Sequence, residues 1–317
     1  MDFLSELFRD AGLVRRLLDV RAIPPSRALR FPCERSFGFH VVLEGTVFVH
    51  VAGRAKPLEL RAGDVALMAR GTDHVLAARP ALAGVRTDTI ALDGAPHPAR
   101  SGAPLVASGA WQLWHAPVHP LFTELPAWHV RRASGAPGLD PVALTVAMLA
   151  DEARHDAPGR DTVVHGLLDS LFVRLVRDAL AATGTGAAGF GRAVHDRPVR
   201  EAVALLHADP ARAWTVASLA RAVSLSRSAL AERFRAAMGD PPLAYLRTVR
   251  LQRAMRLLVE GDATLERIAA AVGYGDAFGF AKAFKRAVGM TPGEFRRADA
   301  ASRGVAWRFG RADAVGG

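Results

Sequence analysis

Cysteine, asparagine and lysine are scarce in this sequence of 317 residues. It holds one cysteine, Cys33, three lysines and no asparagine, and no stretch of it approaches 18 uncharged apolar residues. A single cysteine excludes an intramolecular disulfide framework and a Cys-rich zinc finger, as is typical of a reducing compartment. The start, MDFLSELFRD, lacks the basic region and cleavage site of a secretory signal. We therefore expect a cytoplasmic protein that does not span a membrane.

Positive charge is concentrated in the last third of the chain. The formal net charge is +10, from 41 Lys+Arg against 31 Asp+Glu. Residues 191–303 hold 19 basic and 11 acidic side chains, a net of +8, whereas the remainder holds 22 and 20. Because phosphate binding needs positive charge gathered on one body, this asymmetry predicts nucleic-acid contact by the C-terminal third.

Hydrophobic periodicity predicts an α+β protein of two domains. Apolar residues follow helical spacing in Met1–Leu18, period two from about Leu29 to Leu92, and helical spacing again in Pro141–Glu152 and Thr162–Leu180. The period-two part predicts a small antiparallel sandwich or barrel with flanking helices. Leu92–Ala110 is rich in Gly, Pro and Ser and is predicted as a loop.

The predicted boundaries follow from composition. Residues 1–180 form the first domain, and the Gly-containing segment 181–196 is a linker. Residues 197–303 form an all-α second domain, and 304–317 a tail without a pattern. The apolar stripe of the helix at 162–180 either packs within its own domain or forms a dimer interface.

Two stretches of the second domain repeat one another. Thr215–Gly239 and Thr264–Gly289 each begin with a capping Thr, continue as a short helix, turn at Val223-Ser224 or Val272-Gly273, and enter a longer helix. A short helix, a tight turn and a longer helix make a helix-turn-helix unit, whose second helix is built to enter the major groove. A long amphipathic helix, Pro242–Glu260, lies between the two units and would span about 27 Å. One monomer could therefore read two adjacent turns of a duplex.

Residues Pro198–Arg297 resemble the AraC/XylS family of bacterial transcription regulators. The resemblance rests on the order of the elements and on the segments RLQRAMRLL, IAAAVGY, FAKAFKRAVGMTP and FRR. It implies an effector-responsive, sequence-specific regulator of double-stranded DNA, not an enzyme, that forms a homodimer, contacts RNA polymerase and activates transcription.

The resemblance also assigns the residues that face DNA. The base-reading candidates lie on the second helix of each unit: Arg227, Ser228, Ala231 and Glu232 on the first, and Ala277, Phe278 and Lys282 on the second. The apolar members depart from the family, which often has longer polar residues there. The phosphate-contact candidates are Arg235, Arg247, Arg250, Lys285 and Arg286. Phe234, Phe280 and Phe284 are predicted to be core residues.

Residues 37–78 resemble the cupin barrel that many regulators of this family carry, through the segment GDVALMARGTDH. Metal-binding cupins use a His-x-His-x3–4-Glu motif and a later His. His40, Glu44 and His74 occupy three of those four places, and Gly38 occupies the first. Three such ligands facing one interior could hold a divalent metal. The alternatives are a small organic effector in the same pocket, or no effector there.

Two other classes of function compete with a regulator. A cupin enzyme, such as a dioxygenase or isomerase, would depend on the same three ligands, but it would have no use for two helix-turn-helix units. Nonspecific nucleic-acid binding predicts salt-sensitive affinity without a preferred sequence. No GxSxG, Walker-type or HExxH motif occurs to suggest another chemistry.

Overall fold

The computed structural model describes residues 8, 14–31, 36–69, 71–89, 102–112, 125–133, 140–155, 157–183 and 196–302. Contacts divide the chain into two compact units. The N-terminal region consists mainly of Arg15–Gln112 and Pro126–Ala179, and the C-terminal region is Leu180–Val305. The linker predicted at 181–196 begins within a helix that runs to Thr183, and its residues 184–195 lie outside the described residues, as does the tail 304–317.

Among its described residues, the N-terminal region has ten strands, which form two five-stranded sheets. The strands are β1 (Val14–Ala22), β2 (Arg27–Phe31), β3 (Ser36–Glu44), β4 (Thr46–Val51), β5 (Leu58–Arg61), β6 (Val65–Met68), β7 (His74–Ala77), β8 (Arg86–Thr89), β9 (Leu105–Gln112) and β10 (Trp128–Arg131). The sheet orders are β1-β9-β3-β6-β10 and β5-β4-β7-β2-β8. Each order is open at both ends among the described strands, so a closed barrel stays a prediction.

The two sheets enclose an apolar core. In β4 the inward Val47, Val49 and Val51 alternate with less buried residues, as the period of two predicts. All of β3 before Glu44 is buried, because one of its faces meets the core and the other meets a helix. On that outer face the ring of Phe37 lies 5.0 Å from Phe172.

Three local predictions for this region were wrong, in each case because distant strands pair. The end of the predicted N-terminal helix, including Leu17 and Leu18, belongs instead to strand β1, which pairs with β9. Of residues 1–13, the structure describes only Phe8. Leu105–Ala110, predicted as loop, belongs to β9, which pairs with β3. The pairing of β2 with β8 is parallel, whereas an antiparallel fold was expected.

In the described part of the chain, the strands are followed by the helices α1 (Pro141–Arg154) and α2 (Arg160–Thr183). Asp140 caps α1 by accepting a hydrogen bond from the Val142 backbone N–H at 3.1 Å. The apolar stripe of α2, which includes Leu168, Leu171 and Leu175, is buried within the N-terminal region. Packing within its own domain is therefore the correct reading of that stripe.

The C-terminal region is all helical in its described residues. Its helices are α3 (Arg197–Ala208), α4 (Val216–Ala222), α5 (Arg227–Met238), α6 (Pro242–Glu260), α7 (Leu265–Ala271), α8 (Ala277–Val288) and α9 (Pro292–Ser302). Helix α6 contacts α3 and α5 on one side of the region and α7 and α9 on the other. The predicted helix-turn-helix repeat is thus present as α4–α5, the first unit, and α7–α8, the second unit.

Candidate nucleic-acid interface and sensing site

The first unit is shaped by local hydrogen bonds that its sequence dictates. Thr215 and Ser218 form a capping box before α4, in which each side chain accepts from the other residue's backbone N–H at 3.0 Å. The turn then passes through Ser224 at a positive φ of 56°. Ser226 caps α5 by accepting from the Ala229 N–H at 3.1 Å. These bonds define where both helices begin and how sharply the chain turns between them.

The second unit repeats this construction with different residues. Thr264 caps α7, the turn passes through Gly273 at a φ of 77°, and the carboxylate of Asp276 caps α8 by accepting from the Gly279 N–H at 2.6 Å. Both α5 and α8 have twelve residues. The two units therefore present second helices of equal length.

Buried residues determine which face of each second helix is outward. Leu230 and Phe234 of α5 are fully buried, and Phe280 and Phe284 take the same positions on α8. The prediction that these phenylalanines are core residues is confirmed. Because residues three and four apart share a helix face, the opposite face of each helix is left for solvent or DNA.

The base-reading candidates lie on those outward faces. On α5, Arg227, Ser228 and Glu232 are exposed and Ala231 is half-buried. On α8, Lys282 is exposed, Ala277 is half-buried, and the ring of Phe278 is 80% exposed. The Phe278 side chain therefore buries little of its apolar surface among the described residues.

Four of the five phosphate candidates are exposed, namely Arg235, Arg247, Lys285 and Arg286. Arg250 is different, and its prediction as a phosphate contact does not fit its contacts. Its guanidinium donates from Nε to the Pro210 carbonyl at 2.8 Å and from Nη2 to the Arg212 carbonyl at 3.0 Å. Burial lowers the pKa of Arg250 below its usual value. The sequence pattern placed Arg250 on the basic face of α6. It could not show that two carbonyl groups of the loop before α4 accept hydrogen bonds from its guanidinium.

The predicted sensing residues His40 and His74 meet inside the N-terminal region. Both are buried, and their Nε2 atoms lie 2.7 Å apart. His74 Nδ1 lies 2.7 Å from the Thr72 carbonyl, which can only accept, so this nitrogen carries the proton. In the neutral pair His40 therefore donates from Nε2 to His74 Nε2, and the Ser108 hydroxyl donates to His40 Nδ1 at 2.8 Å.

Both imidazoles resist protonation. Burial, followed by the nearby His74, holds the pKa of His40 well below its usual value. Burial also lowers the pKa of His74 to about 4. Phe31 stacks on His74 at 5.2 Å, and Trp128 meets it edge-on at 5.0 Å. The pair is thus a neutral, ring-packed core element.

Glu44, the third predicted ligand, lies elsewhere. The register between β3 and β9 shifts between Val42 and Glu44, as at a β-bulge. The shift breaks the alternation that would bring Glu44 to the side of His40, and its exposed carboxylate lies 3.4 Å from Arg154 Nε. Among the described residues no three His, Cys, Asp or Glu side chains could hold a metal together. The expected three-ligand site is therefore not assembled, and two imidazoles are fewer than such a site requires.

The described part of the N-terminal region contains a small internal cavity and a larger cleft. A cavity next to Ser108 and Phe31 measures about 10 Å³, roughly the room for one water. A cleft of about 250 Å³ lies between α1 and the ends of β3 and β10. It is lined by Leu43, Gly63, Arg131, Arg132, Ala133, Asp140, Val142, Ala143, Val146, Ala147 and Ala150. Small side chains on both walls keep this cleft open.

The polar end of the cleft is held by ion pairs. Arg131 pairs with Asp140 at 2.8 Å and with Asp178 of α2. Arg132 pairs with Asp64 at 2.8 Å, and Asp64 also accepts from the Ala133 N–H at the same distance. Arg131 thereby connects β10 to the N-cap residue of α1 and to α2.

Two family models match the chain, a cupin model over residues 2–181 and a helix-turn-helix domain model over residues 219–298. A putative AraC-like transcription regulator from Streptomyces lividans is 33% identical over 273 residues, covering 85% of this chain and 90% of that protein. The chain belongs to the AraC family of transcription regulators. A second AraC-like regulator, from Streptomyces antibioticus, is 31% identical over 85% of this chain and 90% of its own length.

Solved structures of AraC-type proteins are also similar to this chain. One is the DNA-binding domain of AdpA in complex with a target DNA, which is 32% identical and covers 33% of this chain and 96% of that chain, with a TM-score of 0.32. The two family models and the Streptomyces relatives show that the protein is an AraC-type, DNA-binding transcription regulator with an N-terminal cupin domain. In the part of the chain that the structure describes, no helix is long and apolar enough to cross a bilayer.

Proposed function

We propose that this regulator reads two blocks of sequence in one duplex, with α5 in one major groove segment and α8 in the next. The observation that carries the proposal is the repetition of one outward face on two capped helices of equal length. Helix α6 has 19 residues and so a length of about 28 Å, close to the ~34 Å that separates successive major-groove faces.

The chemistry of the two faces predicts different base preferences. Arg227 suits guanine, and Glu232 can accept from the exocyclic amine of cytosine. Phe278 and Ala277 offer apolar contact to a thymine methyl group, and Lys282 can donate to guanine. Ser228 can donate or accept, and Ala231 leaves room for a base edge. Arg235, Arg247, Lys285 and Arg286 bind phosphates and position the protein without reading sequence.

Selection of bound DNA from a random library tests this assignment. Glu232→Ala should relax the preference at one position of the first block and Lys282→Ala at one position of the second, each by about 1–3 kcal/mol of discrimination. Arg235→Ala is the matched control: it should weaken binding evenly across sequences and reduce the salt slope by about one. If all three variants lower affinity evenly and leave the motif intact, the proposed readers are wrong.

In this proposal the N-terminal domain, residues 1–180, is the sensor. The linker 181–196 joins it to the DNA-binding domain at 197–303, which is followed by a tail at 304–317. A small organic effector is favoured over a metal, since His40 and His74 converge without Glu44 and the cleft beside α1 has room for a molecule. The effector would act through its different affinities for two arrangements of the protein. The protein would have no catalytic activity.

Narrowing the cleft tests the sensor. Ala147→Leu places a larger side chain in the space, whereas Val163→Leu enlarges an exposed side chain of α2 and serves as the control. We expect Ala147→Leu to reduce the range over which promoter output responds to growth conditions in the source strain, with DNA affinity unchanged. An unchanged range would contradict an effector site in the cleft.

The remaining parts of the proposal concern partners. We infer a homodimer, activation of transcription through contact with RNA polymerase, and action in the cytoplasm, where bacterial DNA lies. Support for a dimer comes from α1, whose outer face leaves Leu144 47% and Met148 56% exposed. Activation is tested by promoter output in a strain that lacks the regulator: output that rises on its loss would mean repression.

A further inference from the structure

Arg250 lies where the two helix-turn-helix units meet. Helix α6 carries it between the buried Val249 and Leu251, which belongs to the core of the second unit. Its guanidinium leaves the helix and donates to the carbonyls of Pro210 and Arg212. The loop it reaches, 209–215, leads into the first unit.

This loop has a defined shape of its own. The Trp214 indole N–H donates to the Asp209 carbonyl at 2.9 Å, and the Arg212 N–H donates to the Asp209 carboxylate at 3.1 Å. The Arg212 guanidinium lies 4.0 Å above the ring of Trp214, which is itself buried. A loop held this way offers Arg250 fixed carbonyl oxygens.

The turn of the second unit packs against both the 209–215 loop and the guanidinium of Arg250. A Cβ atom added to Gly273 would lie 2.6 Å from the Ala211 carbonyl oxygen and 2.6 Å from Arg250 Nη2. Real Cβ contacts are not that short, so only glycine allows the second unit to approach the loop and the guanidinium this closely. Ser224, at the equivalent turn of the first unit, is exposed.

We propose that the contact among the 210–212 loop, Arg250 and Gly273 fixes the orientation of the second unit on the first, so that Arg250 is a positioning residue that determines the spacing between the two DNA blocks. The inference rests on the proposed reading of two blocks by one chain. Arg250 itself contacts no base in this account. It acts by preventing the second unit from rotating about α6.

The spacing of a two-block site is a geometric quantity that such a contact would control. Adding two base pairs between the blocks moves one block by about 7 Å and rotates it by about 70°. A rigid pair of units cannot follow that change without losing contacts, whereas a pair that can rotate follows it in part. The width of the tolerated spacing therefore reports the rigidity of the junction.

The experiment measures the affinity of the full-length protein for duplexes that hold the two selected blocks at the preferred spacing and at spacings two base pairs shorter and longer. We expect the wild type to lose about tenfold or more in affinity at both altered spacings, as for a lost base contact. Arg250→Met, which removes both hydrogen bonds, should lose only about threefold in affinity at the two altered spacings. Arg247→Met is the matched control on the same helix. It should bind more weakly at every spacing, but its loss of affinity on changing the spacing (the spacing penalty) should equal that of the wild type.

Two results would overturn the proposal: Arg250→Met keeping the full wild-type penalty, or Arg247→Met losing the penalty to the same degree. Circular dichroism and thermal unfolding establish that the variants are folded. If Arg250→Met does not fold, Arg250→Lys, which can keep one carbonyl contact, takes its place with an intermediate penalty expected. A wild type that selects only one block would contradict the proposed function instead, so the two failures are distinguishable.

Discussion

At the scale of single residues, the strand alternation and its interruption decide what the cupin domain can bind. The resemblance to the cupin motif predicts that His40 and His74 face a common interior, and their Nε2 atoms meet there. It could not predict the register shift before Glu44, since a bulge depends on how β3 pairs with the distant β9. Likewise the role of Arg250 depends on a loop 40 residues away in sequence.

The buried histidine pair makes the first prediction. The tautomers derived above should appear in side-chain ¹H–¹⁵N spectra, with His40 protonated at Nε2 and His74 at Nδ1. Neither ring should titrate between pH 7.5 and 5.5, because burial lowers both pKa values. Observation of the opposite tautomers, or of a transition near pH 6.5, would refute this description of the site.

The same shifts determine how stability depends on pH. The folded-state pKa of His74 is lower than its unfolded value of 6.5, so the unfolded chain takes up the proton first. The stabilisation is fully present above about pH 6.5 and is lost as the pH falls toward 4, on the order of 3 kcal/mol for this residue. Urea unfolding at pH 7 and pH 5 should show part of this loss in the wild type, because pH 5 lies between the unfolded and folded pKa values, and a smaller loss in His74→Gln.

At the scale of secondary-structure elements, the helices of the C-terminal region were predictable and the sheets only partly so. Capping residues such as Thr215 and Thr264, and the glycines after α5 and α8, are local signals that act within one turn of a helix. The strand order depends on contacts between segments far apart in sequence. Those contacts made β9 from a segment whose composition is typical of a loop.

Helix α1 carries the prediction at this scale. Leu144 and Met148 are one turn apart on its outer face, and replacing both with Glu should shift the protein from dimer to monomer. The double variant Thr162→Glu, Ser170→Glu adds the same charge at exposed polar positions of α2 and should leave the dimer intact. Sedimentation velocity measures both. A dimer that persists in the α1 variant would mean that another surface forms it.

At the scale of the whole molecule, charge and repetition carried most of the functional conclusion. The excess of positive charge and the helix-turn-helix repeat fall in the same third of the chain, and the exposed Arg235, Lys285 and Arg286 lie on the same two helices as the base-reading candidates. The effector site that we propose was not predicted from the sequence. A cleft formed by the small residues of α1 and the end of β10 becomes visible only when those elements are packed together.

The most direct test of the central claim is the selection of random-library DNA by the full-length wild-type protein at two salt concentrations. The account predicts one sharp motif of two blocks, spaced by about one helical turn, that persists as salt rises while overall affinity falls. A pool without a motif, whose binding disappears at the higher salt, would contradict it, because only the phosphate contacts would then remain.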